Sequence, residues 1–243
     1  VLEDADAIIC VGQNEQHEVQ SRLPNKRVEW LPNGVDVKAF ASGNRSRFRN
    51  SYGIADDSKL ILCVSRIDYQ INQLALIEML PELLRRHEDA HLMLIGPVTI
   101  ESYRKKIDER IAACGLRDRV TILPGFLPGS EELVDAYHAA DVFCLPSLHE
   151  PFGIVVLEAW ASGLPIAASR VGGIPTFTKD RENILHINPD DPANIAHTLD
   201  AILSDQQLAG KLADNGMKKA VAHYDWSQIS QRLSSIYHDV RIN

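Results

Sequence analysis

The chain is short of positive charge, of long apolar runs and of paired cysteines, and each shortage removes a class of function. Its 33 acidic side chains against 25 lysines and arginines leave a formal net charge of -8. That balance opposes a nucleic-acid or anionic-membrane surface as the main partner, because both need a concentrated positive field. Any phosphate site must therefore be local. No apolar run approaches the roughly 20 residues of a membrane span, and no signal peptide opens the sequence. Cys10, Cys63, Cys114 and Cys144 lie far apart, with no CxxC pair and no histidine at ligand spacing. They are expected to be buried thiols of a reducing, cytoplasmic compartment. The histidines show no clustered ligand spacing either, so no metal site is expected. No GxGxxG follows any strand, which removes the fingerprint of a dinucleotide-dependent oxidoreductase. Repeats and low-complexity tracts are missing as well.

What is there is an alternation. In a chain of ordinary hydrophobic content, 45%, short apolar runs alternate with longer amphipathic stretches. The strand candidates are AIICV, RVEWL, KLILCVS, HLMLIG, RVTIL, DVFCLP, PIAAS and NILHI, and helices are predicted over 74–87 and 103–114. Strands apolar throughout, linked by crossover-length helices, predict an α/β doubly wound parallel sheet, Rossmann-like, over residues 36–222. The turn signal LPNGVD at 31–36 separates it from a strand-helix-strand piece over 1–35, and 223–243 reads as one last amphipathic helix. The opening VLEDADAIICVGQNE reads like the middle of a domain, which gives the expectation of a fragment.

In such sheets ligands bind beyond the carboxyl ends of the strands. Ser65 closes KLILCVS and Arg66 follows it there, and a guanidinium suits a diphosphate because its planar fork makes two charge-assisted bonds. Pairing with Asp68 is the competing reading. After RVTIL comes PGFLPGSEE, whose glycines expose backbone groups around Phe126 and Leu127 to a nucleobase edge, or merely form a loop before a helix near Glu131.

The end of DVFCLP raises a sharper question. From Val142 to Ser169 the only carboxylates are Glu150 and Glu158, set in a stretch that otherwise reads as core. A buried carboxylate needs a partner. For Glu158 it is either a protein donor or a ligand hydroxyl. Pro151 and Gly153 predict a helix start near residue 153, where the free amides of Phe152, Gly153, Ile154 and Val155 make an anion seat aided by the helix dipole. Glu158 follows about 7.5 Å along the axis, so two acids flank a seat of sugar-phosphate size.

These segments, taken together and in order, resemble the retaining glycosyltransferases of the GT-B fold, in particular glycosyltransferase family four. LPNGVD is similar to the family's interdomain linker, VSRIDYQ to its donor-phosphate strand end, PGFLP to its nucleobase loop, EPFGIVVLE to its E-x7-E segment and VGGIP to its glycine loop. The resemblance implies that Glu150 contacts hydroxyls of the transferred sugar and Glu158 the ribose. Arg66 would bind the diphosphate, the Phe152 to Val155 amides phosphate and sugar, and the Leu127 backbone the base. It also implies a UDP-, GDP- or ADP-sugar donor, no cofactor or metal, and an unseen glycan, lipid or small-molecule acceptor. Peripheral membrane association, if any, would come through an N-terminal domain of which residues 1–35 are a remnant. Two positions depart from the pattern: Ile71 stands where a lysine is usual, and Thr176 where an acid often follows the glycine loop. Lys179 is the nearby candidate to replace the lost charge. A catalytically silent nucleotide-sugar binding or assembly module is the alternative.

Overall fold

A computed structural model describes residues 2–242. All eight strand candidates form: β1 (Ile8–Cys10), β2 (Val28–Trp30), β3 (Leu60–Val64), β4 (His91–Ile95), β5 (Val120–Leu123), β6 (Val142–Leu145), β7 (Ile166–Ser169) and β8 (Leu185–Ile187). The helices are α1 (Gln13–Arg22), α2 (Val37–Phe40), α3 (Arg45–Ser51), α4 (Gln73–Leu84), α5 (Glu101–Ala113) and α6 (Glu131–Ala139), followed by α7 (Ile154–Ala161), α8 (Ile174–Phe177), α9 (Pro192–Ser204), α10 (Gln206–His223) and α11 (Trp226–Ile242). The predicted helix over 74–87 is α4, and that over 103–114 is α5. Gly115 takes φ +68° just past the α5 end, the left-handed conformation that closes a helix.

Strands β3 to β8 make one parallel sheet in the order β5-β4-β3-β6-β7-β8. This is the doubly wound Rossmann-like arrangement, and the direction of winding reverses between β3 and β6. Strands β3, β4, β6 and β7 are buried almost throughout because helices cover both faces. Helix α4 packs beside α5 and α9, while α3 lies on α6 and α10 on α7. Strands β1 and β2 form a separate parallel pair with α1 against it. The tail returns to this pair. Arg232 on α11 donates to the Trp30 carbonyl at 2.8 Å, and Arg27 meets Asp239 at 3.1 Å.

Three of the cysteines are buried as expected, and burial pushes the Cys63 thiol up to about 12. Cys114 is the exception: at the end of α5 it remains partly exposed. Trp160 is fully buried beside Phe177 and Gly216, and its indole N–H donates to the Asn183 carbonyl at 3.0 Å. Among the described residues, no helix is long and apolar enough to cross a membrane.

Candidate active site

The winding reversal brings the end of β3 beside the end of β6, so Arg66 and Glu150 meet although 84 positions separate them. Between them lies a cleft of about 340 Å³ whose lining includes Ser65, Arg66, Ile71, His149, Glu150 and the Phe152 to Val155 segment. The two loops are tied together, since the Leu148 N–H donates to the Gln70 carbonyl at 2.7 Å. Arg66 is half exposed and lies 3.6 Å from Asp68, a loose pair that leaves its guanidinium facing solvent. Asp68 is held elsewhere: the Gln70 amide and the Thr99 hydroxyl both donate to it, and with Arg66 they keep its carboxyl below the usual value.

Helix α7 starts at Ile154 because Gly153 adopts φ +98°, a left-handed conformation that turns the chain sharply into the helix. All four residues of the expected anion seat, Phe152, Gly153, Ile154 and Val155, line this cleft. The Phe152 and Gly153 amides favour the charged form of the nearby Glu150 carboxylate, and Ile154 and Val155 open the first turn of α7. Burial nevertheless dominates and raises the Glu150 carboxyl above its ordinary value, against those amides, His149 and Arg66.

Of the two kinds of partner that the sequence left open for Glu158, the structure supplies the protein donor. The Tyr137 hydroxyl donates to its Oε2 at 2.7 Å, while the carboxylate is only partly buried. Burial raises its value too, and the Tyr137 bond pulls the other way. The folded chain thus holds protons on both acids to higher pH than the unfolded chain. Their contribution to stability is full below the ordinary 4.5 and is lost as pH rises through the raised values. Hydroxyls donated by a ligand would offset that cost.

Other expected residues lie outside this cleft. Glu158 sits one turn of α7 beyond Ile154 and is not among the lining residues. Leu127 is 79% exposed, and Phe126 packs edge-on to Phe48 with centroids 6.4 Å apart. Their loop is still near the sheet edge, because Gly125 abuts Gly96 at the end of β4. Lys179 does not replace the missing charge: it pairs with Glu182 at 2.6 Å and is absent from the lining. Ile71 is 6% exposed and makes an apolar wall where the resembling family carries a lysine.

Sequence reasoning missed Tyr137 and the reason for the glycine loop. Gly172 and Gly173 run so close to the Glu150 segment that the Gly173 N–H donates to the Glu150 carbonyl at 2.9 Å. The double glycine in VGGIP was the available signal. Beside the first cleft lies a second, of about 460 Å³, lined by Val11, Gly12, Asn14, His149, Phe152 and Gly172 among others. His149 and Phe152 line both.

Residues 44–219 match the family described as glycosyl transferases group 1. The chain belongs to that family. Its six-stranded domain has the Rossmann-like fold of the C-terminal half of GT-B glycosyltransferases. Among glycosyltransferase relatives, the uncharacterized glycosyltransferase MJ1607 of Methanocaldococcus jannaschii is 34% identical over 236 residues, 95% of this chain and 59% of that protein. The D-inositol 3-phosphate glycosyltransferase of Corynebacterium efficiens is 31% identical over 251 residues, 98% of this chain and 58% of that protein. Anabaena Alr3699/HepE, solved in complex with UDP and glucose, shares the fold with a TM-score of 0.85 at 22% identity, over 98% of this chain and 64% of that one. The chain therefore spans less than two thirds of the length of each of these group 1 relatives and fold neighbours.

Proposed function

We propose that the chain is the donor-binding part of a retaining glycosyltransferase of family four, which transfers a hexose from a nucleoside diphosphate sugar to a hydroxyl acceptor. The observation that carries this reading is the switch-point cleft, where Arg66, Glu150 and the start of α7 converge. In the reaction the acceptor oxygen bonds to the anomeric carbon as the bond from that carbon to the diphosphate oxygen breaks. The nucleoside diphosphate leaves with the bonding pair, and its departing oxygen takes up the acceptor's proton. Arg66 and the Ile154 and Val155 amides stabilise the charge that develops on the leaving group. Glu150 grips sugar hydroxyls, Glu158 the ribose, and the Phe126 and Leu127 loop the base.

The second cleft is the acceptor's place in this reading, because it shares His149 and Phe152 with the first and brings the α1 end of the β1-β2 piece to the sugar. Residues 1–35 then belong to an acceptor domain, residues 36–222 to the donor domain, and the tail from 223 crosses back. A cytoplasmic setting is part of the same reading, supported by four free cysteines. The partners are a UDP-, GDP- or ADP-sugar and an acceptor that this chain holds only in part, so transfer by the chain alone is expected to be weak or nil.

Ile71 favours a second reading, a silent nucleotide-sugar binding module, since it removes a point charge from the diphosphate site. Calorimetry with UDP-, GDP- and ADP-sugars tests both. One of them is expected to bind, and Ile71→Lys to tighten it about tenfold to a hundredfold, the worth of one charge-assisted contact. Absence of binding to either variant would end both readings. Glu158→Ala is expected to weaken ribonucleotide binding at least tenfold, about 1.4 kcal/mol, with the melting transition retained. Global unfolding instead would make Glu158 a purely structural acid.

A further inference from the structure

We propose that Tyr137 is a positioning residue for the donor: its hydroxyl clamps one oxygen of Glu158 so that the other is presented to the ribose hydroxyls. The inference rests on the donor reading above and adds a residue to it. Tyr137 lies on α6, outside every segment that the sequence singled out, and its ring is fully buried. Phe40 meets that ring edge-on with centroids 5.5 Å apart, and Phe143 of β6 lies at 5.8 Å. A ring held from two elements leaves the hydroxyl a single place to point. That place is Glu158 Oε2, at 2.7 Å.

The two oxygens of Glu158 are not equivalent. Among the described residues none donates to Oε1, whereas Oε2 has Tyr137. The fully buried side-chain polar atom that lacks a partner among them is Ser147 Oγ, not Glu158 Oε1, so Oε1 reaches solvent. Ile154 and Val155 line the donor cleft, and Glu158 follows them at spacings of four and three, on the same face of α7 and about 6 Å further along its axis. The open oxygen thus belongs to a residue on the α7 face that the anion seat uses, one turn further along.

The chemistry of the pair fits this division of labour. A phenol supplies one donated hydrogen and Glu158 is an acceptor when ionised, so their bond uses one carboxylate oxygen and orients the other. Burial and the neighbouring acid keep the Tyr137 phenol protonated, which makes it a constant donor. A ribose diol offers two hydroxyls to the free oxygen. Without Tyr137 the carboxylate would turn, and its ordering would have to come from the binding of nucleotide.

Tyr137→Phe removes one oxygen and keeps the packed ring. It is expected to weaken binding of the preferred nucleoside diphosphate about tenfold, while binding of the 2′,3′-dideoxy form of the same nucleotide is unchanged. In a Glu158→Ala background, Tyr137→Phe should add no further loss. Equal loss for the ribo and dideoxy ligands would reduce Tyr137 to core packing and overturn the proposal, and so would no loss for either. If Tyr137→Phe melts below the assay temperature, site-specific 3,5-difluorotyrosine at 137 keeps ring and hydroxyl while changing only donor strength. It must then shift affinity for the ribo ligand alone, and an equal shift for both overturns the proposal. Wild-type protein that binds no nucleotide would remove the donor reading itself, an outcome separate from a Tyr137 variant that behaves as wild type.

Discussion

Gly172→Ala is expected to lower nucleotide affinity at least a hundredfold and to lower the melting temperature, although residue 172 carries no side chain and offers no chemistry of its own. A methyl carbon built there would lie 1.9 Å from the Glu150 carbonyl oxygen and 2.8 Å from its carbon. Both are backbone atoms, so no side-chain rotation relieves the contact. Gly172 also holds φ +55°, a conformation that costs an L-residue about 1 kcal/mol before any clash. Relief requires moving Glu150, which breaks the Gly173 N–H bond to its carbonyl and shifts the turn that aims the Phe152 and Gly153 amides. A hundredfold corresponds to about 2.7 kcal/mol, the size of one charge-assisted contact misplaced. Gly115→Ala is the control: it has a similar φ of +68° with nothing within 4 Å of the added carbon, and it should retain wild-type affinity. Wild-type affinity in Gly172→Ala, measured by the same titration, would mean that the glycine loop does not set the position of Glu150.

Asp141→Ala is expected to cost about 3–5 kcal/mol of folding stability in urea denaturation, the usual penalty for orphaning a buried charge. Arg49 is fully buried, and it donates to the carbonyls of Ala139, Ala55, Asp56 and Ser58. Those oxygens solvate the guanidinium, and Asp141, 2.9 Å away, is the carboxylate that pairs with it among the described residues. Burial pushes the Arg49 guanidinium down, and Asp141 opposes that shift. The same carboxylate accepts the Leu60 N–H at 2.7 Å and pairs with Arg45 at 2.9 Å, so its loss also strands an amide at the first residue of β3. That strand carries Arg66 at its far end. Asp108→Ala, which breaks an exposed ion pair on α5, should cost no more than about 0.5 kcal/mol in the same assay. A similarly small loss in Asp141→Ala would show that the carbonyl cage alone suffices for Arg49.

Much of this molecule was readable along the chain. Strands β3, β4, β6 and β7 were visible because a strand buried on both faces must be apolar throughout, a local property of a few letters. Arg66 and Glu150 were visible because strand ends can be located from those runs, and the crossover rule then puts the ends on one edge. The bond from Tyr137 to Glu158 was not visible, since it depends on how α6 packs beside α7. Nor was the burial of Ile71, which only its neighbours decide.

The sequence by itself determined the alternation of elements, the parallel sheet and the edge where ligands gather, because these follow from hydrophobic period and chain connectivity. Tertiary structure alone decided that Tyr137 meets Glu158, that Asp141 answers Arg49 and that Gly172 touches Glu150. Those partners lie 21, 92 and 22 positions apart. No local pattern encodes a contact between side chains or backbones brought together only when helices and strands pack.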